Sequence, residues 1–273
     1  MELKTLRYGV RDKIATITLN RPHRMNAWTG RMHTEYRYAL DQADKAADVR
    51  AIVVTGKGKG FCVGADTKAL EGHIEKGGYD AGTPDVLAEP GQGVSADFDA
   101  SFAYHFGLSK PVVAAINGPA AGVGLVLACF ADIRFSVPGV KFTTAHGKLN
   151  FPAEYGLSWL LPRLIGLPQA NDLLLTSRIF TSDEAFTLGL VNRVIEPDLL
   201  LKETYAYVRR MIETVSPGSL RETRWQIYKD LHRGVATSVK DSERLIDSMS
   251  RQKDFTEGVN AFLEKRVPNW TGE

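Results

Sequence analysis

The chain has 273 residues, 44% of them hydrophobic and 24% charged, with a formal net charge of +2. That is ordinary for a globular protein with one large domain, or a domain plus a small appendage. The small charge without a Lys/Arg run gives no reason to expect a nucleic-acid partner, and no apolar run approaches the roughly 18 residues of a membrane span. Cys62 and Cys129 are the only cysteines, too few for a disulfide framework or a zinc site. They read as small apolar side chains in a reduced compartment, and with no charged-then-apolar opening segment the expected location is cytoplasmic.

Residues 14–19 (IATITL) alternate and predict a strand, paired with residues 3–8 through a turn near Arg11 and Asp12. From Thr29 the apolar positions Met32, Tyr36, Leu40, Ala43 and Ala47 recur at helical spacing. A strand at 51–55, a glycine loop and a short helix from Thr67 follow. Residues 72–93 are dense in Gly, Pro and Asp and predict a loop, either a lid or a surface insertion. Helical pattern resumes at 95–108, then a strand at 112–116, a helix at 123–131 and strands at 133–136 and 140–142. Strands alternating with helices predict an α/β class with mostly parallel pairing. Further on, 157–164, 168–176 and 182–188 read as helices, the last capped by Ser182, and 190–195 as a short strand. Beyond Pro197 helix follows helix to Lys265. The division is therefore a core of residues 1–196 and a helical region of residues 197–273 suited to oligomerisation.

Two segments carry the chemistry. Residues 56–66 (GKGKGFCVGAD) follow the strand at 51–55, and residues 117–124 (NGPAAGVG) follow the strand at 112–116. Segments with little side-chain bulk let backbone N–H groups approach a ligand. A pair of them at strand ends points to two N–H donors facing one oxygen, an oxyanion hole. A dinucleotide fingerprint fails because Phe61 stands where G-x-G-x-x-G needs its third glycine. The P-loop and the G-x-S-x-G elbow are absent as well, which leaves no recognisable serine nucleophile for a peptidase reading.

Over nearly its full length the chain resembles the enoyl-CoA hydratase/isomerase (crotonase) superfamily. The resemblance rests on residues 19–28 (LNRPHRMNAW), 56–66, 110–124 (KPVVAAINGPAAGVG), 153–166 (AEYGLSWLLPRLIG), 180–195 (FTSDEAFTLGLVNRVI) and 257–270 (EGVNAFLEKRVPNW), in the family's order. It implies a crotonase-like spiral of ββα units, a helical C-terminal trimerisation region, and a homotrimer or dimer of trimers. It also implies acyl-CoA thioester substrates with no separate cofactor, coenzyme A being part of the substrate. The family's oxyanion donors map onto the N–H groups of Ala65 and Val123, the latter often glycine in relatives. The resemblance places Arg24 near the CoA phosphates and Ala27, Ala65, Asp66 and Thr67 around the pantetheine and adenine. Phe262 and Lys265 would reach the CoA of an adjacent subunit.

The chain departs from the family at the two hydratase glutamates, whose places hold Val126 and His146. Valine moves no protons. His146 is of the residue type that serves as acid or base, and Glu154 stands where some superfamily isomerases carry a catalytic carboxylate. Glu154 reads equally as a cap for the helix near Leu157, and Asp132 reads as structural. Isomerisation or hydration of an enoyl-CoA leads. The alternatives are a β-dicarbonyl hydrolase or C–C lyase using His146 and Glu154, and a scaffold that binds acyl-CoA without turning it over. Tyr79, Phe98 and Phe102 are candidate pocket-lining aromatics.

Overall fold

The computed structural model describes residues 1–78, 82–84 and 86–273, without the side chain of His73. Tyr79 lies outside the described residues.

Strands β1 (Leu6–Arg11) and β2 (Ile14–Leu19) form an antiparallel hairpin. Its two-residue turn is Asp12–Lys13, both in left-handed conformation at φ 52° and 62°, the geometry that matches strand twist. β1 starts later than the alternation predicts. The N–H groups of Lys4 and Thr5 donate instead to the buried Glu35 carboxylate, at 2.9 and 2.7 Å. Helix α1 (Gly30–Lys45) is capped by Thr29, whose Oγ1 accepts from the Met32 N–H at 3.1 Å. Met32, Tyr36, Leu40 and Ala43 form its buried stripe, and Ala47 falls beyond its end.

β3 (Ala51–Gly56) continues the sheet, followed by α2 (Thr67–Lys76), β4 (Val112–Ile116), β5 (Ala120–Ala121), α3 (Val123–Cys129), β6 (Ile133–Ser136) and β7 (Lys141–Thr143). After the second glycine segment come α4 (Leu157–Ile165), α5 (Leu167–Thr176), β8 (Phe180–Thr181), α6 (Ser182–Thr187) and β9 (Arg193–Val194). The main sheet runs β1-β2-β3-β4-β6-β9, parallel from β2 onward, and β5-β7-β8 form a smaller one. β3 is buried on both faces, as a central parallel strand requires. Ile52 and Val54 enter the main core, while Ala51 and Val53 face a second cluster. The α/β class and parallel pairing are as the sequence predicts.

Three local expectations fail. Residues 95–108 form 3-10 turns at Ala96–Phe98 and Ala103–Gly107, not one helix. Phe98, Phe102, Tyr104, His105 and Phe106 are all buried, which no single helix face permits, and Phe102 breaks the run at φ 62°. The 72–93 loop gives up its first residues to α2, which extends to Lys76. The cap of α6 is Thr181, whose Oγ1 accepts from the Glu184 N–H at 3.2 Å, because Thr181 keeps the extended backbone of a cap while Ser182 is already the first helical residue.

Helices α7 (Leu200–Thr214), α8 (Pro217–Asp230), α9 (Val235–Met249) and α10 (Lys253–Glu264) complete the chain. α7 packs Leu200, Val208 and Ile212 on the second sheet face. α8 is tied down by Arg224, which pairs with Asp132 at 2.8 Å and donates to the carbonyls of His105, Phe106 and Leu108. Asp132 also accepts from the Val112 N–H and the Tyr228 hydroxyl, the structural role its position suggested. α9 contributes no buried residue. Cys62 and Cys129 are free and buried, and burial pushes both thiols up to about 12. Among the described residues no helix is long and apolar enough to cross a membrane.

Candidate active site

The two glycine-rich segments interlock through their backbones. Cys62 bridges Ala120, with the Ala121 N–H donating to the Cys62 carbonyl at 3.0 Å. A Cβ on Gly124 would lie 2.0 Å from that same carbonyl oxygen, so only glycine lets the first turn of α3 approach the loop. On the other side Trp28 bridges Ala65. The Trp28 N–H donates to Gly64 and its carbonyl accepts from Asp66, at 2.7 and 2.9 Å. This pairing turns the intervening Ala65 N–H away from Trp28.

Ala65 and Val123 line one cavity of about 160 Å³. Neither N–H donates to a described residue. Val123 opens α3, where the first N–H groups have no intrahelical acceptor, and its cap residue Gly122 offers no side chain. Val123 takes a helical place directly after Gly122, which alone adopts the positive φ of 48°.

Glu154 enters the same cavity from the turn Glu154–Gly156. A Cβ on Gly122 would stand 3.3 Å from its Oε2, which puts the carboxylate beside the residue preceding Val123. Its side chain caps nothing: α4 begins after Gly156 with no side-chain cap, so that alternative is removed. Burial raises the carboxyl above its ordinary pKa, since the charged form loses hydration.

His146 sits elsewhere. It is buried on the turn His146–Leu149, does not line the cavity, and keeps an Nδ1 with no hydrogen-bond partner. Val126 is fully buried in α3 and also lies outside the lining. Asp66 is already engaged: Arg21 Nη2 donates to Oδ2 at 2.8 Å and the Lys68 N–H to Oδ1 at 3.1 Å. Against the upward push of burial, these bonds and the charges of Arg21 and Arg24 hold its carboxyl below the usual range. Arg21 also donates to the carbonyl of the buried Ala27. Arg24 and Thr67 are exposed near this end. Phe262, 83% exposed, lines a separate groove with Leu263 and Trp270, and Lys265 ends α10 in left-handed conformation. Within one chain neither is joined to the cavity.

Sequence reasoning missed Trp28, His33, Arg37 and Tyr155 as lining residues. The available signal was His33 and Arg37 at i and i+4 on a capped amphipathic helix. Burial, with the Arg37 charge adding to it, lowers His33 to about 4. Of the aromatics named from sequence, Phe98 packs against Phe106 away from the cavity, and Phe102 stands behind its wall.

Residues 9–273 match the family model described as enoyl-CoA hydratase/isomerase. The chain belongs to the enoyl-CoA hydratase/isomerase family. It is 31% identical to the 1,2-epoxyphenylacetyl-CoA isomerase of Escherichia coli over 97% of both chains. It is 35% identical to a Mycobacterium tuberculosis protein named probable enoyl-CoA hydratase EchA12, over 96% of this chain and 91% of that one. A crystal structure of enoyl-CoA hydratase from Bacillus anthracis superposes with a TM-score of 0.85 at 27% identity, covering 99% of this chain and 100% of that one. The crotonase fold expected from the motifs is thereby established, and enzymes acting on CoA thioesters are the chain's relatives.

Proposed function

We propose that this family member shifts a carbon–carbon double bond in an enoyl-CoA thioester. The Ala65 and Val123 N–H groups bind the thioester oxygen, and Glu154 carries the proton. The observation that supports this is the meeting of two unused backbone donors and one desolvated carboxylate in a single cavity. Glu154 removes a proton from the α-carbon of a 3-enoyl thioester. The C–H electron pair forms the dienolate, whose oxygen charge falls on the two N–H donors. The carboxylic acid then returns the proton to the γ-carbon, leaving the double bond between α and β. A raised pKa suits this work, because a stronger base takes a carbon-bound proton more readily.

Hydration needs a second group to activate water. Val126 supplies none, and His146 lies outside the lining. Hydrolase and lyase readings that rely on His146 lose support for the same reason. Arg24, Ala27, Asp66 and Thr67 frame the CoA end of this reading, and Phe262 and Lys265 cover CoA from an adjacent subunit of a trimer or dimer of trimers.

The test is incubation of the purified protein with 3-enoyl- and 2-enoyl-CoAs in deuterated water. Isomerisation yields a thioester of unchanged elemental composition with its double bond moved into conjugation, seen as new enoyl-thioester absorbance. Deuterium enters only to the extent that the Glu154 acid exchanges with solvent before it returns the proton. A product heavier by one water supports hydration and overturns the reading. CoA thioester binding with no deuterium exchange and no product supports the scaffold.

A further inference from the structure

The cavity beside Glu154 has a wall of aromatic rings in fixed mutual orientation. Trp28, His33 and Tyr155 line it, and all three lean on the fully buried Phe102, at centroid distances of 5.8, 5.9 and 5.0 Å. Trp28 and His33 meet each other edge to face at 6.2 Å. Tyr155 in this wall and Phe102 behind it hold backbone conformations that bulky residues seldom adopt, at φ 47° and 62°. Such conformations persist only where surrounding packing over-determines them, and they concentrate at ligand sites. His33 adds a neutral imidazole whose ring nitrogens make no hydrogen bond to a described residue.

We propose that this cavity selects acyl groups carrying a single planar ring, with Trp28, His33 and Tyr155 as the specificity-determining residues. The volume of about 160 Å³ is close to that of an engineered apolar cavity of about 150 Å³ that takes benzene. Because Ala65, Val123 and Glu154 line it too, what remains beyond the thioester suits a compact ring better than an extended chain. A ring gains edge-to-face and offset contacts with the wall that a flexible chain of equal carbon number does not. A linear chain has an alternative course, into an adjoining cavity of about 410 Å³ that shares Ser101 and Tyr155 and is lined by Phe106 and Trp159. Tyr155 lines both cavities and so stands between them.

The inference rests on the thioester reading above, so the experiment separates the two. Calorimetric titration of the assembled protein uses free CoA, phenylacetyl-CoA and octanoyl-CoA, the two acyl groups having equal carbon number. Phenylacetyl-CoA is expected to bind about tenfold more tightly than octanoyl-CoA. W28L is expected to erase that ratio and leave free CoA affinity unchanged. H33L serves the same purpose should W28L fail to fold. Equal binding of the two thioesters, or tighter octanoyl-CoA, overturns ring selection and leaves the thioester reading standing. Failure of all three ligands to bind overturns both.

Discussion

Glu154 is a carboxylate held in a partly desolvated cavity without a described hydrogen-bond donor. At neutral pH its charge therefore opposes folding, since burial disfavours the ionised form. E154Q is expected to raise the melting temperature while lowering turnover on the order of 10²-fold or more; calorimetry and steady-state kinetics on one preparation read both. A variant that keeps full turnover removes Glu154 from the proton path. The histidines act in the opposite sense at acid pH. Burial holds His33 and His105 down to about 4. The unfolded chain binds protons near pH 6.5 that the folded chain refuses. Stability is therefore expected to fall as pH drops from about 6.5 toward 4, and H33L should flatten part of that slope in a series of melting curves. A second loss overlaps the acid end of that window and continues below it. Glu35, whose burial is outweighed by bonds from Lys4, Thr5 and Arg31, takes up its proton only at lower pH.

At the scale of elements, the site depends on how closely α3 approaches the loop after β3. Gly124 faces the Cys62 carbonyl, leaving no room for a methyl group. G124A is expected to push α3 back, separate the Val123 N–H from that of Ala65, and cost about 1–3 kcal/mol of stability. A denaturant titration and a kcat measurement check it, with a loss of kcat larger than any change in KM. That the two segments end at one cavity was legible, because small residues after apolar strands leave exposed backbone donors. The ring wall was not. His33 comes from α1, Phe102 from a turn, and Tyr155 from the approach to α4, and no local pattern joins them. The failed helix at 95–108 has the same origin: its aromatics satisfy neighbours far away in sequence, such as Tyr36 with His105 and Tyr228 with Phe106.

At the scale of the molecule, α9 and α10 leave apolar side chains uncovered. Val235, Val239, Ile246, Phe255 and Phe262 are all exposed, and apolar exposure on this scale marks an interaction surface. In the trimer proposed here these faces meet a second copy. I246E is therefore expected to convert a multimer to monomers in light scattering, with little change in the fold by circular dichroism. A wild-type chain that is monomeric at micromolar concentration contradicts that assembly.

Sequence alone determined the α/β class, the glycine-rich turns and the family, because these follow from local periodicity, turn chemistry and motif order. Tertiary structure decided which titratable groups share a cavity, bringing Glu154 to Ala65 and Val123 and leaving His146 aside. It also decided which rings enclose them. Such neighbours are chosen by packing between distant segments, and spacing along the chain carries no record of that.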